Sequence, residues 1–309
     1  SLVEGNANPS REQIAHELRG HLCRCTGYVK IVDAIEELAK VRREVAGCEL
    51  LVARNEEQSG RIGTSLARYR GRELVLGDFK YVDDIDVPGQ VYAAMRFSEH
   101  ARALVKGIDV SAAMEVEGVE RVITAADVPG DRHVGLIVKD WPVLVAIGEE
   151  TRCVGDILAV VVAKGQYAAR RGAEKIAVDY EVRTPITDPE DGIKPGAPMI
   201  HAKGNLLSKS GIVRGEPEEA FKRWAFVVED TFKTQRIEHM FLEPESCIAI
   251  PTEKGLRVLS QGQGVFDDQR QIASVLGWER ERVQVELVQN GGGFGGKEDM
   301  SIQGQTSLA

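Results

Sequence analysis

The sequence predicts a multidomain protein of mixed α+β and α/β class. Three observations carry that expectation. Residues 10–41 place apolar side chains at helical spacing, residues 66–188 alternate strand-like and helix-like stretches, and a strand near the end runs into a glycine-rich loop at 289–299. With 309 residues the chain is long enough for two or three domains with substantial cores.

The first element is a helix. Ser10 and Gln13 form a capping-box signature after Pro9, and Ile14, Leu18 and Leu22 repeat on one face. A second helix follows with Ile31, Ile35, Leu38 and Val41 aligned. Between them lies His21-Leu22-Cys23-Arg24-Cys25-Thr26-Gly27-Tyr28. Two thiolates one residue apart at a helix junction can ligate one iron of a cluster, but such a centre usually takes four cysteines. Cys23 and Cys25 therefore supply half a site. The chain opens at Ser1 without Met, which suggests a piece of a longer polypeptide.

Residues 47–65 are polar and irregular and read as a linker. From 66 to 188, strands are expected over 90–98, from 120 into a turn, and at 178–182. The continuous apolar run at 156–163 is of the kind found in buried strands, and an Ala-rich helix over 167–176 follows it. Asp83, Asp84 and Asp86 lack the spacing and closing Glu of a calcium loop and read as a solvated turn. A Pro- and Gly-rich stretch at 187–205 marks the next boundary. Beyond it come a helix over 215–224, strands over 225–237 and 256–259, a helix with Ile272, Val275 and Leu276 inward that ends at Gly277, and a strand over 282–288.

Composition excludes several classes. The chain carries 39 Lys+Arg against 48 Asp+Glu, a net charge of -9, with no long basic run, so nucleic acid is a poor partner. No apolar run approaches the roughly 20 residues needed to cross a bilayer, so a soluble protein is expected. Five cysteines, an odd number, argue against a secreted disulfide framework and for a reducing compartment, the cytoplasm. Cys48, Cys153 and Cys247 stand alone and read as small core residues.

The glycine loop, Gln289-Asn290-Gly291-Gly292-Gly293-Phe294-Gly295-Gly296-Lys297-Glu298-Asp299, lets a backbone approach a ligand closely because five glycines carry no Cβ. Gly291, Gly296 and Lys297 satisfy G-x-x-x-x-G-K, but Glu298 stands where a phosphate loop needs Ser or Thr for magnesium. Gly291, Gly293 and Gly296 also satisfy G-x-G-x-x-G, a pattern that needs a following βαβ unit. A glycine turn without any ligand stays open as well.

Residues 291–298 resemble the G-G-G-F-G-G-K-E loop of the molybdenum hydroxylases, the xanthine dehydrogenase and aldehyde oxidoreductase family. The resemblance extends along nearly the whole chain. His21 to Leu38 resembles the L-C-R-C-T-G-Y segment of that family's helical 2Fe-2S domain. "GDFKYVDDIDVPG", "EGVERVITAADVPG" and "VGDILAVVVAKGQYAARRGAEKIAVDYE" resemble its hammerhead-like domain, and the run from Glu238 to Glu243 resembles its E-H-x-x-L-E segment. The implied domains are the C-terminal part of a helical 2Fe-2S domain at 1–46, the linker at 47–65, a hammerhead-like α/β domain at 66–188, and the start of a molybdopterin-binding α+β domain at 189–309.

The resemblance also implies site residues. Gly293, Phe294, Gly295 and Gly296 would lie against the molybdenum cofactor, Gln261 and Gln263 would meet the pterin edge, and Glu298 would reach the substrate. Cys23 and Cys25 would be cluster ligands, completed by an upstream C-x-x-C that does not precede Cys23 here. Aldehyde-oxidising members often lack a carboxylate at the position of Glu298, so that residue leans toward a purine-like heterocycle. Against the resemblance, Glu298 could simply pair with a nearby cation such as Lys297. Ile237 stands where purine-oxidising members commonly carry Gln, and it can neither donate nor accept a hydrogen bond there. Glu238 and His239 alone read equally well as a buried polar pair.

The implied activity is hydroxylation of an electron-poor carbon at a molybdopterin centre, with electrons leaving through the pterin to 2Fe-2S clusters. The general base lies near the C-terminus of the family's full polypeptide. No flavin domain separates the first two domains here, so the expected partners beyond a small heterocyclic substrate are the remainder of the polypeptide, a flavin subunit or a soluble electron acceptor, in an oligomer. Aldehydes or nicotinate-like heterocycles are the alternative substrates. The alternative of another class is a non-catalytic pterin-binding or electron-transfer protein.

Overall fold

The computed structural model of the protein describes residues 8–17, 29–44 and 68–309, which fall into two compact units. Ser1–Ile85, His239–Pro244 and Val288–Gly296 make the first unit; Asp86–Glu238, Glu245–Leu287 and Lys297–Ala309 make the second.

In the first unit α1 (Arg11–Glu17) begins at the expected capping box: the Ser10 amide donates to Gln13 Oε1 at 2.8 Å and the Gln13 amide to Ser10 Oγ at 3.2 Å. The face of α2 (Val29–Glu44) differs from the expected one. Val32 and Ala39 are buried, whereas Ile31 and Leu38 are 36% and 42% exposed. Arg11 of α1 donates to Asp33 and Glu36, one residue along from that buried stripe, so partner contacts choose a narrower face than apolar spacing alone suggests. Cys23, Cys25 and the linker at 47–65 lie outside the described residues. A short helix, α3 (Gly71–Leu76), ends at Gly77 in the left-handed conformation, φ 76°.

The second unit opens with β1 (Tyr92–Phe97), β2 (Ala103–Asp109) and β3 (Val119–Thr124), the last two separated by a single helical turn. A two-residue ladder, β4 (His133–Val134) with β5 (Trp141–Pro142), precedes β6 (Ile157–Ala163). Then come α4 (Gln166–Lys175) and β7 (Ala177–Val182), which pairs antiparallel with β2. The main sheet has the order β1-β6-β3, antiparallel throughout. Central β6 is covered on both faces. Val160 and Val162 enter one cluster, while Ala159 and Val161 enter another with Ala173 and Ile176, and this explains its unbroken apolar sequence.

After α5 (Pro217–Arg223) the chain from 225 to 237 forms no strand, contrary to its β-rich composition. Phe226, Val228 and Phe232 are about nine-tenths exposed, and without a neighbouring ladder among the described residues the β-formers have nothing to pair with. Regular structure resumes with the hairpin β8 (Cys247–Thr252) and β9 (Gly255–Ser260), then α6 (Val265–Leu276), then β10 (Val283–Leu287), parallel to β9. Gly277, φ 65°, ends α6 as expected. A last helix, α7 (Gln303–Leu308), closes the described chain.

The large core cluster spans the unit. It joins Ile123, Val143, Leu144, Val160 and Val162 to Leu256, Val258, Ile272, Val275 and Val283. The C-terminal carbonyls of α6 are met by loop amides, Gly130 to Val275 O at 2.9 Å and Asp131 to Ser274 O at 2.8 Å. No helix among the described residues is long and apolar enough to cross a membrane.

Candidate functional site

The glycine loop within the first unit is shaped by the segment His239–Pro244. Gly291 donates its amide to Glu243 Oε2 at 2.6 Å, and a Cβ at 291 would stand 2.5 Å from Glu243 Cβ. At Gly296 a Cβ would meet His239 Cγ and Phe241 Cε1, each at 2.9 Å. These two glycines are therefore required by the chain's own packing. At both positions the missing Cβ lets Glu243, His239 and Phe241 pack directly against the loop backbone.

The tip is different. Gly293 O accepts the Gly296 amide at 2.7 Å, with Phe294 at φ 53° and Gly295 at φ 89° between them, the signs of a type I′ turn. Phenylalanine is a costly residue in that conformation, and strain of this kind clusters at functional sites. The Phe294 ring is 60% exposed, and a Cβ on Gly295 would find only His239 Nε2, at 3.9 Å. Phe294 and Gly295 thus present a thin, exposed edge of backbone.

In the second unit the turn 261–263 leaves the end of β9. Gln261 is fully buried and its Oε1 accepts a short hydrogen bond from Lys297 Nζ; Gln263 is exposed. The Gln263 amide donates to Lys297 O at 2.8 Å, and its Oε1 accepts from the Lys297 amide at 3.3 Å. Lys297 itself is 1% exposed, the largest fully buried side chain among the described residues. It is therefore not the cation that Glu298 was offered by sequence, because the structure commits it inward to Gln261.

Glu298 is exposed, and its carboxylate makes no ion pair or hydrogen bond among the described residues. The next acid behaves otherwise. Asp299 accepts from the Leu136 amide at 3.3 Å and from Gln271 Nε2 at 3.4 Å, so it links the loop at 136 to α6. Cys153 and Cys247 are poor metal ligands as they stand. Burial pushes their thiols up to about 11 and about 12.

Sequence reading missed Asp268, Ser260 and Gln303, and it placed Glu243 in a family-like segment without giving it a role. Asp268 is 2% exposed; burial, with Glu245, Asp267 and Asp299 adding to it, pushes its carboxyl up to about 6, against the Ser260 hydroxyl that lowers it. One signal was available: Asp268 shares the i, i+3, i+4, i+7 stripe with Gln271, Ile272 and Val275, all buried.

Residues 76–184 match the family model for the aldehyde oxidase and xanthine dehydrogenase a/b hammerhead domain, 200–309 the molybdopterin cofactor-binding domain, and 1–36 the [2Fe-2S] binding domain, a range that includes Cys23 and Cys25. The chain belongs to the molybdenum hydroxylase family. Among its relatives in that family, a probable xanthine dehydrogenase component of Bacillus subtilis is 32% identical over 245 residues, 79% of this chain and 33% of that protein. The nicotinate dehydrogenase large molybdopterin subunit of Eubacterium barkeri is 32% identical over 248 residues, 80% of this chain and 58% of that protein. Of solved hydroxylase-family structures, the aldehyde oxidoreductase from Desulfovibrio gigas superposes with a TM-score of 0.86 at 28% identity, over 99% of this chain and 36% of that one. The chain thus spans about a third to about three-fifths of these relatives.

Each unit, taken by itself, carries a feature that suits a pterin: in the first the Phe294 and Gly295 edge has room for close approach, and in the second Gln263 is exposed, its backbone amide and Oε1 held by Lys297.

Proposed function

We propose that the intact protein is a molybdenum-dependent oxidoreductase that hydroxylates a purine-like N-heterocycle and passes the electrons to 2Fe-2S clusters. The observation carrying the substrate class is Glu298, an exposed carboxylate without an internal partner among the described residues, directly after the glycine loop. Bound molybdopterin supplies the redox chemistry. This chain's own residues bind and orient. The backbone of Gly293, Phe294, Gly295 and Gly296 lies against the cofactor, and Gln263 hydrogen-bonds the pterin edge. Gln261, engaged by Lys297, stiffens the turn from within. Glu298 accepts from a ring N–H and offsets charge as the heterocycle is attacked. Cys23 and Cys25 would be ligands of a 2Fe-2S cluster, which would supply one-electron transfer, and a flavin subunit or soluble carrier would be the onward acceptor.

Purified intact protein should contain both molybdenum and iron and should reduce an artificial dye with a purine as substrate. Iron alone, with no turnover, would instead favour a non-catalytic electron carrier. Two observations favour a second substrate reading, an aldehyde or a nicotinate-like ring. The aldehyde oxidoreductase structure covers 99% of this chain, and Ile237, 70% exposed, offers no amide where purine-oxidising members commonly have one. Comparing purine, nicotinate and aldehyde in the same assay decides between the two.

A further inference from the structure

We infer that Asp268 is a positioning residue that fixes the turn 261–263 for the pterin, acting through the Ser260 hydroxyl. The inference rests on the reading that this turn meets the cofactor. Ser260 is fully buried, and its hydroxyl donates to Asp268 Oδ2 at 3.0 Å. A hydroxyl has one proton and two lone pairs. Ser260 uses both lone pairs as well, accepting from the Gly262 amide at 3.0 Å and from Gln303 Nε2 at 3.2 Å. Asp268 thereby sets the rotor, and the rotor sets where the amide in the middle of the turn is held.

The contact is close enough to dictate sequence. A Cβ on residue 262 would lie 2.8 Å from Asp268 Oδ2 and 3.1 Å from Ser260 Oγ, so the turn's backbone rests directly on the acid. Gln303 extends the network, its Oε1 accepting from the amides of Ser301 and Ile302 at 3.0 and 3.1 Å, ahead of α7. On the other side Lys297 holds both Gln261 and Gln263. The turn is fixed from two directions, and only Gln263 is left exposed.

A buried acid is an expensive way to fill a core position, since an apolar side chain of similar size would avoid its desolvation. Here the neighbouring charges make it dearer. Glu245, Asp267 and Asp299 all carry the same sign. What the carboxylate provides and an apolar group cannot is an acceptor of fixed direction for Ser260. The expense is intelligible if the orientation of the turn matters to a ligand.

The test uses the intact protein with Asp268→Asn, Asp268→Ala and Ser260→Ala, measuring pterin released on denaturation, molybdenum-to-iron ratio and thermal midpoint. Asparagine keeps an acceptor oxygen and is expected to retain most of the pterin. Alanine at 268 should lower pterin occupancy about tenfold, the scale of losses from groups that orient ligands. Ser260→Ala, which removes the relay with little change of volume, should reproduce that loss even where Asp268→Ala fails to fold. Normal pterin content in Ser260→Ala or in folded Asp268→Ala would overturn the inference, as would equal depletion in Asp268→Asn. A wild-type protein devoid of pterin would instead overturn the functional reading beneath it.

Discussion

Glu243 Oε2 accepts the Gly291 amide at 2.6 Å, so the first glycine of the loop is anchored by a carboxylate 48 residues earlier. Hydrogen bonds to charged acceptors are shorter and stronger than neutral ones. Glu243→Ala should cost about 1–3 kcal/mol, seen as a lowered thermal midpoint, and should reduce molybdenum content. Glu243→Gln keeps an acceptor oxygen and should recover much of both. Full molybdenum loading in the alanine variant would show that the anchor is dispensable.

The loop glycines should separate into two kinds. At Gly296 an alanine methyl would press on His239 and Phe241, so Gly296→Ala should destabilise the protein with or without cofactor. At Gly295 the chain leaves open space, and only the positive φ opposes alanine, at about 1 kcal/mol. Gly295→Ala should therefore keep a near-normal midpoint when cofactor-free and lose molybdenum. Calorimetry on both forms of each variant reads the difference.

Glu298→Ala is expected to lower kcat/KM for a purine by about two orders of magnitude, equal to about 2.7 kcal/mol of transition-state stabilisation. Metal content and thermal midpoint should be unchanged, because the carboxylate supports nothing else in the described structure. A lowered midpoint with unaltered kinetics would return Glu298 to a structural role.

Asp268 makes a pH prediction. Its folded value, about 6, lies above the ordinary carboxyl value near 3.9, so the native state binds this proton more tightly than the unfolded chain. The group therefore destabilises the fold as pH rises from about 4 through 6, by about 3 kcal/mol when fully ionised, and the loss is relieved on acidification. Asp268→Asn removes that dependence. The midpoint of wild type minus that of the variant, measured between pH 7 and pH 5, should rise as pH falls; a flat difference would contradict the burial of an ionisable carboxyl. Glu245, Asp267 and Asp299 face the same group and remain in both proteins.

Local signals were legible where one element decides its own fate. The capping box at Ser10, the two-faced burial of β6 and the left-handed stop at Gly277 follow from spacing and backbone sterics. Signals that depend on a distant partner were not. Ile31 and Leu38 have apolar spacing, yet Val32 and Ala39 are buried. Residues 225–237 have strand composition without a ladder. Within the site, glycine count could not reveal that Gly291 and Gly296 yield to Glu243, His239 and Phe241. Nor could the motif tell that Gln261 and Lys297 would satisfy each other, leaving Gln263 outside.

The core that links Val160 and Val162 to Val258 and Ile272 has an evolutionary corollary. Two stretches matched by separate family models, 76–184 and 200–309, share one interior. Swapping either stretch for its counterpart from a relative would set side chains shaped by one history against a cavity shaped by another. Chimeras joined near residue 190 should fail more often than chimeras that exchange both stretches together, so lineages are expected to inherit them as a single block.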